Sequence, residues 1–399
     1  MKRSFFILFV LVSQASLIHA QDYVHQAIVL NEGYFDYTLN QSIVSPTIGS
    51  YDPFTQSYIN VDTLHLSRFA SDIIIHEDYF YVAADNMLYK YDKNNYNLIL
   101  SQQIDGIRNL AVWNDKIIIT RGDYDNNTFS PILFNSYLQI YNIADLSLYL
   151  EVDTIIGPKW STQNMIVNDD KLYVAINNAY EWGNEKGVVG VMDLNSFTYI
   201  DEIDLGIDGV NPDNMLKKGD YIYTVNNKDW SGSSISQFSM LTGSVSTINL
   251  SATSTGCGTS CLRGGKINYQ ISGDNILNEW DLSLLPSNGT PLPVNQSFYD
   301  LSYDTINNLL YASMTDYVSS GSINIYNQSN SLISSFECGV SPGVIVFDVR
   351  TLTTSIYEQY LINNNSSQYF DLLGKEVDNE KLIKDGVYIK DNTLLFITK

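Results

Sequence analysis

Apolar positions along the chain fall into short blocks separated by tight polar turns, and one phrase recurs. An apolar strand leads into a two- to four-residue polar turn, and a second strand reading roughly Leu-Tyr-Val-Ala follows. The clearest copies are Asn164-Met-Ile-Val-Asn-Asp-Asp-Lys-Leu-Tyr-Val-Ala-Ile-Asn177 and Asp213-Asn-Met-Leu-Lys-Lys-Gly-Asp-Tyr-Ile-Tyr-Thr-Val-Asn226. Alternation within these blocks fits half-buried β-strands, and no long helical pattern interrupts them.

The second strands align on Ile28, Tyr81, Ile118, Tyr173, Tyr223, Tyr269 and Tyr311. A third strand follows each of the middle copies, as in Leu88-Tyr-Lys-Tyr-Asp92 and Val189-Gly-Val-Met-Asp193, and a fourth as in Tyr199-Ile-Asp-Glu-Ile-Asp-Leu205. A strand-only repeat with a period of roughly 40–50 residues predicts a β-propeller, here all-β and seven-bladed, with the fifth and sixth blades least regular. An open ring would leave bare sheet edges. The early strand Ala27–Leu30 and the late strand Gly343–Asp348 each lack a partner on one side, so the two are expected to share a blade.

Strand order within a blade fixes where the loops go. Turns joining strands one to two and three to four lie on one face and are short here, as at 168–171, 93–95 and 242–243. Loops joining strands two to three, and those joining blades, lie on the other face and are longer, as at 121–129, 178–185 and 227–231. Long loops on a rigid scaffold are where binding sites tend to reside. These loops mix aromatic and polar residues, which suits a flat organic molecule, a sugar or a peptide. The expected ligand-binding set is Arg121, Asp123, Tyr124, Trp160, Asn178, Tyr180, Trp182, Asn227, Trp230, Arg263 and Tyr317.

Composition narrows the partners. Formal charge is −22 over 399 residues, which repels nucleic acid and anionic membrane surfaces. Lys2 and Arg3, the apolar run Phe5–Val12 and the small residues up to Ala20 read as a cleaved secretory signal, too short to span a bilayer. The expected organisation is a signal peptide (1–20), the propeller (21–350) and a C-terminal β-domain (351–399), the whole secreted or displayed at a bacterial cell surface as a monomer that does not span the membrane. In that compartment Cys257 and Cys261, in a Gly/Ser/Thr-rich loop, are a candidate local disulfide, and Cys338 reads as a buried free thiol.

Catalytic motifs are absent. Beyond the signal segment the only histidines are His25, His65 and His76, none in the long loops of blades three to seven, and no Ser nucleophile sits at an elbow. No catalytic residue and no cofactor is expected. The run Asp123-Tyr-Asp-Asn-Asn127 offers calcium a set of oxygen ligands through Asp123 and Asp125, against the alternative of a solvated acidic loop.

Leu30-Asn-Glu-Gly-Tyr-Phe35, the Lys-Leu-Tyr-Val-Ala repeats and Gly209-Val-Asn-Pro212 together resemble the YncE-like seven-bladed surface propellers, over roughly residues 24–349. That resemblance implies a surface protein working beside TonB-dependent outer-membrane transporters, and one branch, the BtuG-like proteins, captures cobalamin. The family's lipid-anchoring Cys does not follow the signal segment here. The C-terminal stretches Tyr369–Val377 and Gly386–Lys390, after a linker at Asn363–Ser367, resemble a type IX secretion sorting domain without its usual Pro-Asn-Pro opening. The resulting expectation is a non-enzymatic propeller that captures a small molecule, corrinoid-like in its specific form, for a transporter. The alternatives are a propeller enzyme of lactonase or lyase type and an adhesive or protein-interaction scaffold.

Overall fold

The computed structural model describes residues 21–256, 259–282 and 289–351, and the strands Tyr369–Asp371, Glu376–Val377, Gly386–Lys390 and Thr393–Ile397. The expected signal segment, the linker at Asn363–Ser367 and Cys257 lie outside the described residues. Among those described there is no helix. Residues Val24–Asp348 form one compact unit, a seven-bladed β-propeller whose blades are four-stranded antiparallel sheets. The described C-terminal strands form a separate four-stranded sheet in the order 376–377, 369–371, 386–390, 393–397.

Each of the seven anchor residues occupies the second strand of a different blade, and each is almost fully buried, from Ile28 at 0% exposure to Tyr223 at 4%. The core is divided into clusters that lie between neighbouring blades. Ala27 and Val29 pack toward blade 7 while Ile28 and Leu30 pack toward blade 2, as the two-residue period of a strand requires. The same division puts Phe80 and Val82 against blade 1 and Tyr81 and Ala83 against blade 3. Second strands are therefore buried on both faces, not half-buried, which explains why their apolar residues run consecutively. Fully burying one such aliphatic side chain stabilises the fold by about 1.5–3 kcal/mol.

The ring closes as the unpaired ends imply. Strand Pro342–Thr351 is the innermost strand of blade 1, followed in order by Asp22–Asn31, Thr47–Asp52 and Ser57–Thr63. Behind the closure Lys93 Nζ lies 3.0 Å from the fully buried Asp348 carboxylate. Gln26 donates to Asp348 (3.2 Å) and to the Lys93 carbonyl (2.9 Å), and its own carbonyl accepts from Ser50 (2.6 Å) and Tyr96 (2.7 Å). Blade 5 is as regular as its neighbours, contrary to expectation. Blades 6 and 7 have innermost strands of only four residues, Ser260–Arg263 and Leu301–Asp304, where blades 2 to 5 have seven, and blade 6 also has the shortest second strand, Lys266–Gln270.

On the long-loop face, the connection in blade 2 is only Asp85 and Asn86. A hairpin from blade 1, strands Tyr34–Asp36 and Gln41–Val44, reaches to the blade 3 loop on the far side of that gap. Tyr37 packs 6.3 Å from Tyr124 and 6.5 Å from Phe129, and Asn40 donates to Asn127 (3.4 Å).

Candidate functional site

The first residues of the innermost strands, fed by the long inter-blade loops, surround a central cavity of ≈ 510 Å³. A short pattern repeats there in four consecutive blades: Ser71-Asp72-Ile73, Arg108-Asn109-Leu110, Gln163-Asn164-Met165 and Asp213-Asn214-Met215. In each the ladder to the second strand shifts register at this point. Such a bulge re-aims side chains, here turning polar groups toward the axis. The Asp or Asn of the pattern also ties blades together. Asp72 accepts from the Leu110 N–H of the next blade (2.7 Å), Asn164 from that of Met215 (3.2 Å), and Asn214 donates to the Ser260 carbonyl (2.7 Å). The residue before it (Ser71, Arg108, Gln163 or Asp213) lines the cavity.

Three carboxyls in this lining are perturbed. Glu32 follows the second strand of blade 1, held by its N–H to the Ser341 carbonyl (2.8 Å). Its carboxylate occupies space that a side chain at Gly343 would take: a Cβ there would come within 2.0 Å of Glu32 Oε1. Burial raises the Glu32 carboxyl from 4.5 to about 7, against the opposing pull of the Tyr299 hydroxyl and Arg108. Part of the residue's surface opens onto the cavity. Burial likewise raises Asp72 to about 7, and burial with the nearby Glu32 charge raises Asp300 to about 8. Arg108 lies at the same wall with its guanidinium carbon 5.5 Å from the Phe69 ring centroid and 5.3 Å from that of Tyr180. From Tyr180 a chain of rings runs outward, to Tyr124 at 5.8 Å and then Phe129 at 6.2 Å. A cation between two rings beside carboxyls that exchange protons near neutrality can hold a polar ligand and can move a proton on it.

None of the eleven residues expected from the loops lines this cavity. Four of them, Asp123, Trp160, Asn178 and Tyr180, meet instead in a smaller pocket of ≈ 170 Å³ between blades 3 and 4. Tyr124 belongs to the aromatic chain, Trp182 is 81% exposed at a loop tip, and Tyr317 packs edge-on against the cavity residue Tyr299 (5.4 Å). Trp230 is partly buried in the turn after the second strand of blade 5, its backbone N–H donating to the Asn227 carbonyl (2.9 Å).

Three expected residues hold structure together instead of facing a ligand. Arg121 donates to the carbonyls of Asp105 and Ser136 (both 2.8 Å) and packs on Phe134, because its buried side chain points between blades. Asn227 is fully buried and accepts from the Thr255 N–H (3.0 Å) and hydroxyl (2.7 Å). Arg263 lies on the other face altogether, before a strand-one to strand-two turn. It donates to the Asn327 carbonyl and to Asn330 (both 2.6 Å), bridging blades 6 and 7.

The calcium and disulfide expectations are also corrected. Asp123 is ion-paired with Arg68 at 2.9 Å, and Asp125 caps its own turn by accepting from the N–H groups of Asn127 (2.9 Å) and Thr128 (2.8 Å). Among the described residues no group of three or more His, Cys, Asp or Glu could hold a metal ion. Cys261 is a free thiol because its strand turns it into the apolar contact between blades 6 and 7, beside Leu277 and Leu301. Burial pushes that thiol up to about 12. Cys338 is free and buried too.

The cavity residues Glu32, Arg108 and Asp300 escaped the sequence reading, which looked to the loops. The one signal for part of the set was the repeated polar–Asx–apolar triplet at the start of strand one.

No protein-family model matches the chain, nor does any curated protein sequence. Solved structures do. A hypothetical selenium-binding protein from Sulfolobus tokodaii superimposes with a TM-score of 0.57 at 12% identity, covering 82% of this chain and 93% of that one. A "putative 6-phosphogluconolactonase" from Bacteroides fragilis gives 0.55 at 12% identity, covering 81% and 98%. A protein of unknown function from Desulfotomaculum acetoxidans gives 0.56 at 12%, again over 81% and 98%. At these identities the likeness concerns the fold. Among the described residues no helix is long and apolar enough to cross a membrane.

Proposed function

We propose that the chain is an exported, surface-displayed propeller that binds a small polar molecule in its central cavity. The observation that carries this reading is the convergence of Arg108, Glu32 and Asp300 in a ≈ 510 Å³ well at the head of the channel. That volume lies within the ~300–1,000 Å³ usual for small-molecule sites. The signal segment and the C-terminal resemblance to a type IX sorting domain support display at the surface, where a transporter would receive the cargo. A corrinoid macrocycle would lie across the ring-bearing loops, with only polar side groups reaching the well. The test is a thermal-shift screen of the full chain with cobalamins, haem, sorbitol, gluconate and divalent ions. Stabilisation that Glu32→Gln or Arg108→Gln weakens supports the reading. No stabilisation by any small molecule sinks it.

A second reading, acid–base catalysis of the lactonase kind, is favoured by the raised Glu32 and Asp300 carboxyls, which can accept and return protons near pH 7. Among the described lining residues Arg108 is the sole Lys or Arg, against Glu32, Asp72, Asp213 and Asp300, a balance that opposes a phosphate dianion. An unphosphorylated lactone fits better. Turnover of δ-gluconolactone above the buffer rate, abolished in Glu32→Gln, would favour this reading over simple capture.

A further inference from the structure

Between blades 3 and 4, apart from the central cavity, the loop face closes over a pocket of ≈ 170 Å³. At about 30 Å³ of liquid per water molecule, that is room for roughly six waters, the space of one six-membered ring with its substituents.

Its walls are of two kinds. The rings of Trp160, Tyr180 and Tyr137, with Ile132 and Leu133, present carbon. Tyr180 comes this close because residue 122 is glycine: a Cβ there would lie 2.6 Å from the Tyr180 ring and 2.8 Å from Ser161 Cβ. Asp123, Lys159, Asn178 and Glu181 supply polar groups. Ser161 adds a hydroxyl in a residue only 4% exposed, its oxygen without a hydrogen-bond partner among the described residues.

Two of the charged members are held by neighbours, and the third, Lys159, is exposed at the rim. Asp123 is paired with Arg68, and Glu181 accepts from the amides of Asn178 (2.9 Å) and Asn184 (2.7 Å). Two carboxylates against one exposed lysine disfavour an organic anion, Arg68 already takes the charge of Asp123, and both carboxylates keep lone pairs free for O–H donors. A plain hydrocarbon ring would bury these polar groups against carbon, at a cost for each. A pyranose matches both walls, with an apolar C–H face for the rings and hydroxyls around its edge. We propose that this pocket binds one pyranose ring of a saccharide.

The test is ligand-observed NMR on the full chain with the methyl glycosides of glucose, galactose, mannose and N-acetylglucosamine, with cyclohexylmethanol as the hydroxyl-poor ring. At least one glycoside is expected to saturate with a Kd on the order of 1 mM, as befits one small ring. Cyclohexylmethanol should bind at least tenfold more weakly. Trp160→Ala and Gly122→Ala should each weaken the glycoside at least fivefold, with Trp160→Phe retaining it and Glu32→Gln, in the central cavity, leaving it unchanged. The proposal falls if no glycoside saturates, if cyclohexylmethanol binds as well, or if Trp160→Ala and Gly122→Ala bind like the parent. It falls equally if Glu32→Gln abolishes binding, since the sugar would then occupy the central cavity.

Discussion

Replacing Glu32 with glutamine should stabilise the propeller, increasingly as pH rises above about 4.5 and fully at alkaline pH. Burial lifts this carboxyl from 4.5 to about 7, so the folded protein holds its proton more tightly than the unfolded chain. Below pH 4.5 both states are protonated and the group has no effect on stability. Between 4.5 and 7 the unfolded chain ionises while the folded one does not, and stability falls as pH rises. Above pH 7 the loss is complete. The interval from 4.5 to about 7, at about 1.4 kcal/mol per pH unit, amounts to roughly 3 kcal/mol. Glutamine carries no charge at any pH, keeps an oxygen for the Tyr299 hydroxyl, and escapes that loss. Residues Val24–Asp348 unfold with an entropy of roughly 0.7 kcal/mol per degree, so the gain corresponds to a Tm increase of about 4 °C. Scanning fluorimetry of both proteins at pH 5, 7 and 8.5, at one scan rate, reads it out. The difference should be about a quarter of its full size at pH 5 and largest at pH 8.5. An equal difference at every pH, or a less stable glutamine variant at pH 8.5, would refute the assignment of Glu32 as a poorly hydrated cavity carboxyl.

Other consequences follow from the same contacts. Lys93→Met strands the fully buried Asp348 carboxylate and should cost about 3–5 kcal/mol, largely recovered in the double variant with Asp348→Asn; urea denaturation of the four proteins closes the cycle. Arg263→Ala leaves the Asn327 carbonyl and the amides of Asn330 and Asn268 short of a donor and should destabilise by about 2–3 kcal/mol, while any ligand response measured by thermal shift stays intact, since the residue is on the opposite face. Gly343→Ala should do the reverse. Its Cβ would meet Glu32 Oε1 at 2.0 Å where ordinary contact begins at 3.4 Å, so the carboxyl must shift by about 1.4 Å, weakening the response to cavity ligands with little change in Tm. Cys261 and Cys338 should resist thiol labelling in the native protein and react on unfolding, because burial raises both thiols to about 12.

Much of the fold was legible because the strand-turn-strand repeat is local chemistry. The anchors Ile28 to Tyr311 mark the second strands whatever surrounds them, and the unpaired strands at 27–30 and 343–348 had to meet for the ring to close. The burial of second strands on both faces was not legible from alternation, since it depends on what each blade packs against. The candidate sites show the same boundary more sharply. Tyr124, Trp160, Tyr180 and Trp182 could be placed on the long-loop face from strand order alone. Arg121 and Arg263 read like ligand-binding cations yet serve as clamps, because a guanidinium is claimed by whichever carbonyls the fold brings within reach.

Sequence by itself determined the number of blades, the closure and which loops share a face, since these follow from the order of strands along the chain. Tertiary structure alone decided that Glu32, Arg108 and Asp300, drawn from blade 1, blade 3 and the loop before the innermost strand of blade 7, meet in one well. Residues 76 and 192 positions apart have no local relation, and only the circular stacking of blades brings their charges close enough to shift one another.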